Sequence, residues 1–177
     1  MKKLLSIALI LAAMTKMQAG DAGLQISLIP SIALERPDAT IHGLSLNLLC
    51  GQNRQQGLTF GFYNIITGDS SGFAYGAINY SDSYTGVQWG ILNLTQNKFT
   101  GWQFGGVNYA GMEFKGLQSG IINIADHCTG LQLGVFNYTD SLKGLQIGAL
   151  NIASQNPWFS NVPNQFAPVW PVVNWSF

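Results

Sequence analysis

The stretch Gly130 to Ala153, GLQLGVFNYTDSLKGLQIGALNIA, states one phrase twice, and that repetition constrains the fold more than any other feature. Self-similarity at a fixed period marks a chain built from one recurring supersecondary unit. Leading glycines fall at Gly43, Gly57, Gly72, Gly86, Gly101, Gly116, Gly130 and Gly144, a spacing of fourteen or fifteen residues. A second glycine follows four positions later from Gly61 to Gly148, and an asparagine three beyond that, from Asn64 to Asn151. The first copy is degenerate, with Asn47 and Cys50 at those places.

Read at period two, one copy separates into a face with Val87, Trp89, Ile91 and Asn93, and another with Gly86, Gln88, Gly90, Leu92 and Leu94. A helix would carry these glycines at a cost of roughly 1 kcal/mol each. The aromatic and β-branched filling suits strands. Between copies stand short polar breaks, such as YSDSY (Tyr80 to Tyr84), IADHC (Ile124 to Cys128) and YTDSL (Tyr138 to Leu142). Breaks of three to five residues with Asp, Asn, Gly or Ser suit hairpins. A parallel crossover needs a dozen residues or more.

The expectation is therefore an all-β, antiparallel up-and-down meander. Each strand has about ten or eleven residues and rises about 27 Å when tilted, matching the apolar band of about 25 Å in outer-membrane barrels. Leu24 to Leu34, Ile41 to Cys50, seven copies from Gly57 to Ile152, and Ala167 to Phe177 make about ten strands. That number is even, as in bacterial single-chain barrels. In this reading the Gly-Gln-Gly end of one strand makes room for Leu94 or Tyr109 of the next. The tail, with Val169, Pro171, Val173, Trp175 and Phe177 on one face, looks like a terminal barrel strand, although Pro171 belongs at an edge or bulge.

Composition agrees with an envelope location. Only 9% of residues are charged, against roughly 25% in ordinary soluble domains. No basic excess exists to hold nucleic acid. Lys2-Lys3 followed by the apolar run Leu4 to Met14 reads as a signal peptide over residues 1–19, cleaved after Ala19 or, alternatively, Ala22. Residues 20–177 then form a single repeat-built β domain. Its expected partners are membrane lipid and the barrel-insertion machinery of a Gram-negative outer membrane. Cys50 and Cys128, far apart in the chain, define no disulfide framework.

From Ile41 onward the units GLTFGFYN, GVQWGILN, GWQFGGVN, GLQSGIIN, GLQLGVFN and GLQIGALN resemble bacterial surface-repeat proteins built on G-L-Q-[IL]-G-x-x-N. The Pro- and aromatic-rich ending PVWPVVNWSF is similar to theirs as well. That family is largely uncharacterised. The resemblance implies surface or envelope placement and no activity; lacking a lipobox cysteine, this chain departs from the members that look like lipoproteins.

No constellation suggests catalysis, a metal or a cofactor. His42 and His127 are distant, and Asp126-His127-Cys128 alternates faces as a strand end would. Asp69, Asp82, Asp126 and Asp140 suit turns better than calcium ladders. Asn79-Tyr80-Ser81 and Asn137-Tyr138-Thr139 have the form of glycan acceptors but follow from the repeat. The functional expectation is a non-enzymatic outer-membrane or surface barrel with a structural or interaction role, and a narrow pore as a weaker reading. The rival architecture is a β-solenoid with rungs of fourteen or fifteen residues, acting as a soluble or surface-attached binding module. Stacked asparagines and near-identical copies favour it. The single polar break per copy, and the sticky sheet that Ile78, Leu92, Ile122 and Phe136 would make, count against it.

Overall fold

A computed structural model describes residues 20–177; the leader and the Ala19 cleavage point lie outside them. The strands are β1 (Asp21–Ile29), β2 (Ile32–Ala33), β3 (Thr40–Thr95), β4 (Lys98–Leu133), β5 (Phe136–Ala153) and β6 (Val169–Ser176). The longest are several turns of one continuous coil, because copies stack on copies. Gly86 pairs with Gly101, Gln88 with Gln103 and Asn93 with Asn108, all in parallel. Asn123 with Asn137 and Gly130 with Gly144 repeat the pattern one stage on. The chain is a β-solenoid of about eight turns.

This corrects the antiparallel meander and the closed barrel, along with the outer-membrane and transmembrane-strand assignments built on them. The error has a physical origin. A parallel neighbour needs a return path of a dozen residues or more, and the repeat itself is that path. Burial shows how it bends. Inward and outward residues alternate through Val87–Gln88–Trp89, but Ile91 and Leu92 both face outward, so the phase flips and Asn93 points in. A second corner spans Gln96–Asn97, before Phe99 turns inward. The third is the leading glycine, which takes a positive φ (Gly116, +134°). A Cβ built at Gly116 would run into the carbonyl oxygen of Gly101 beneath it. Glycine is thus required by the backbone's approach to the coil below, rather than by a bulky neighbour's need for room.

Three sides enclose an interior that is largely polar. Asn64, Asn79, Asn93, Asn108, Asn123, Asn137 and Asn151 form one ladder, each side-chain N–H donating to the next carbonyl oxygen at 2.8–2.9 Å. The second N–H of each amide donates to a backbone carbonyl, as Asn108 does to Ser119 at 3.1 Å. Gln88, Gln103, Gln118, Gln132 and Gln146 form a second ladder, with donors directed toward the earlier coil at 2.7–3.0 Å. The two amide stacks therefore run in opposite senses, and their dipoles oppose. Such ladders exist only when like lies over like in register. In a low-dielectric interior each paired amide is stabilising, whereas an unpaired one is costly.

The apolar part of the interior is a column at the third corner. Tyr84 stacks on Phe99 and Phe99 on Phe114, with ring centroids 6.1 and 5.7 Å apart; Cys128 and Leu142 continue it. Phe114 is inside, while Tyr109 sits outside on Leu94.

Both ends are closed by antiparallel strands. β2 folds back on β1, which joins β3 in parallel. At the other end β6 runs antiparallel to β5, and its register slips around Pro171, the bulge position that proline tolerates. Phe166 stacks on Trp175 at 4.3 Å within this cap. These strands cover part of the open edge that would otherwise template further strands.

Candidate interaction surface

The three sides differ in chemistry. One side carries the residues on either side of the ladder glutamine, then turns at the second glycine. Its outward column Phe60, Tyr75, Trp89 and Phe104 forms a chain of tilted and edge-to-face contacts, with centroids 6.3, 6.0 and 5.2 Å apart. Trp102 abuts Phe104 at 5.8 Å. Edge-to-face packing is the arrangement that the ring quadrupoles prefer.

Beside that column runs the corner between the first and second sides. Phe62 (62% exposed), Ile91 (67%), Ile121 (60%) and Val135 (57%) stand there as a ridge. Ala77 and Gly106 are small members of the same line, and they open a shallow groove of about 640 Å³ between Phe62, Tyr75, Trp89, Ile91 and Phe104. Its floor is the second-glycine column, Gly61, Gly76, Gly90 and Gly105. A Cβ at Gly90 would meet the backbone oxygen of Gly76 and the amide of Asn79. The glycines thus keep the interior ladder clear and leave the groove floored by bare backbone.

The second side carries Ile78, Leu92, Val107, Ile122 and Phe136, which are half-buried against their neighbours above and below. The sheet that counted against a solenoid is thus partly covered by stacking. Its outer column includes Tyr80, Tyr109 and Tyr138. The Tyr138 hydroxyl donates to Asp140 at 2.7 Å. That bond and a second from Ser154 hold the Asp140 carboxyl below its ordinary range, while the bond to Asp140 and the nearby negative charge raise Tyr138 above its own.

All charge between Gly57 and Ala153 lies on the third side or at the corner that leads into it. Asp69, Asp82, Lys98, Glu113, Asp126 and Asp140 are in the breaks, and Lys115 and Lys143 adjoin them. Lys98 and Glu113, on consecutive coils, pair at 3.0 Å and are both well exposed, so the pair contributes little. Asp82 accepts the backbone N–H of Gly68 at 2.7 Å, a turn role. Among the described residues no cluster of His, Cys, Asp and Glu could hold a metal.

The sequence-level residues of interest separate in space. His127 is exposed while Cys128 is buried in the aromatic column; burial pushes its thiol up to about 12. Cys50 and Cys128 are both free. His42 pairs with Asp21 at 3.3 Å near the first cap, remote from His127 along the chain. Asn79 and Asn137, the glycan-like asparagines, are fully buried in the ladder and unavailable to a glycan.

Sequence reasoning named one apolar side, the sheet of Ile78, Leu92, Ile122 and Phe136, and missed the aromatic column on the other. Its signal was legible all the same: from Gly57 to Ala153 every charge lies in a break or just before a leading glycine. No family model, no curated protein and no solved structure matches this chain.

Proposed function

We propose that this chain is an exported, non-enzymatic binding module of the cell envelope or surface, with its apolar solenoid sides as the working surface. The observation that carries the reading is the aromatic column Phe60–Tyr75–Trp89–Phe104, open to solvent beside a groove with an all-glycine floor. Trp89 is 47% exposed and Tyr75 50%. Contiguous exposed apolar patches of several hundred Å² mark interaction sites. A stiff, laterally uniform solenoid holds such a patch flat without loop ordering, which lowers the entropic cost of docking.

The leader-like residues Lys2 to Met14 support export, and the resemblance to surface-repeat proteins points to the same compartment. The barrel-insertion machinery has no place in this reading, since it was expected only for a barrel.

The test is retention of the purified full chain on an octyl matrix at low salt. The folded protein should be retained, and Trp89→Ser with Phe104→Ser should elute markedly earlier at an unchanged circular-dichroism spectrum. Equal elution of both would mean that these side chains are not the working surface.

A further inference from the structure

The two apolar sides meet at an angle along the Phe62–Ile91–Ile121–Val135 ridge, and this shape narrows the choice of partner. We propose that the ridge inserts into a lipid surface, with the apolar sides at the acyl boundary and the charged side in water. This deepens the binding reading above and rests on it.

Three observations carry it. First, no Asp, Glu, Lys or Arg occurs on either apolar side from Gly57 to Ala153. A protein partner's rim would ordinarily be met by polar residues, whereas an acyl phase rejects charge over the whole contact.

Second, the angular shape favours a deformable partner. Seven stacked coils at about 4.8 Å span about 29 Å, and the ridge side is about 13 Å wide. One side thus has a flat footprint of about 400 Å². A flat partner covers one side only. A fluid surface follows the angle and covers both.

Third, the border is amphipathic. Tyr80, Tyr109 and Tyr138 lie on the outer column of the second side, next to the charged breaks. Tyr138 turns its hydroxyl to Asp140 on the charged side. Tyrosine at an apolar–aqueous boundary, with its ring in one phase and its hydroxyl in the other, is the arrangement of interfacial anchors. The ridge itself carries no polar atom in its exposed side chains. Lying in the interface in this way is distinct from spanning, and needs no closed barrel.

The experiment is flotation of the full chain with vesicles of uncharged phosphatidylcholine. The wild type should float. A ridge variant, Ile91→Glu with Ile121→Glu and Val135→Glu, should lose at least tenfold in partition coefficient. Residues 1–19 are common to both chains, so the loss reports the ridge. These side chains are 57–67% exposed, and an unchanged circular-dichroism spectrum verifies folding. A second variant, Lys98→Ser with Lys143→Ser, should float like the wild type, because no headgroup charge is being read. Wild type that stays at the bottom of the gradient overturns the proposal, as does flotation indifferent to the ridge charges. Retention on octyl matrix without flotation leaves the binding module standing and removes lipid as its partner. Ridge-dependent dimers without flotation would assign the surface to a second copy instead.

Discussion

Replacing Asn108 by alanine should unfold this protein more readily than any surface change. Asn108 is fully buried. Its carbonyl oxygen accepts from Asn93 at 2.8 Å, and its amide donates to Asn123 at 2.8 Å and to the Ser119 carbonyl at 3.1 Å. Alanine orphans one N–H of Asn93 and the side-chain oxygen of Asn123, and takes one donor from the Ser119 carbonyl. At about 1–3 kcal/mol for each buried group left unpaired, with some relaxation, the loss is about 3–6 kcal/mol. Asn47, at the ladder's first rung, donates to Asn64 and accepts only from Ser45. Its alanine variant should lose about half as much. Asn161, exposed in the final loop, should change by no more than about 0.5 kcal/mol. Urea unfolding followed by far-ultraviolet circular dichroism reads the difference. With a slope near 2 kcal/mol per molar, the Asn108→Ala midpoint should fall by about 1.5–3 M. Asn108→Asp adds a check of sign. Its carboxylate would face the acceptor oxygens of Asn123 and Ser119, so the folded state raises its pKa above the unfolded value near 3.9. The variant should therefore be least impaired below about pH 4, and become less stable as pH rises. An Asn108→Ala midpoint indistinguishable from that of Asn161→Ala would refute the idea that the amide ladder stabilises the stack.

Gly116→Ala should cost several kcal/mol in thermal unfolding, since φ is +134° and the new methyl meets the Gly101 carbonyl. Gly23→Ala, where a Cβ meets nothing within 4 Å, should be close to neutral. Phe99→Ala should lose about 3–5 kcal/mol from the stacked column, whereas Phe62→Ala on the ridge should lose less than about 1 kcal/mol by the same denaturant assay. Cys128, with its thiol pushed up to about 12 by burial, should resist alkylation in the native protein at pH 8, and the less buried Cys50 should react first; mass spectrometry of partly labelled chain decides the order.

What the residues alone determined is the unit: its period, its extended backbone, and which positions are equivalent from copy to copy. Gly101, Gln103, Gly105 and Asn108 recur because each must do in its coil what its counterparts do in theirs, and that equivalence is visible in one dimension. The direction of neighbouring segments was not. Asp, Asn, Gly and Ser serve a hairpin and a solenoid corner equally well, because both need a tight change of course with local hydrogen bonding. Strand periodicity reads the same in either sense. Even the face assignment slipped, since the corner at Ile91–Leu92 inverts the alternation and sends Asn93 inward while Leu94 faces out. Only the stacked coil decides these matters. Once Asn lies over Asn and Gln over Gln, the amides of the inner rungs find partners in the neighbouring rungs, and a parallel stack provides this along the axis. An antiparallel neighbour would have set the glutamine and asparagine positions against other residue types, and left those amides without their ladders.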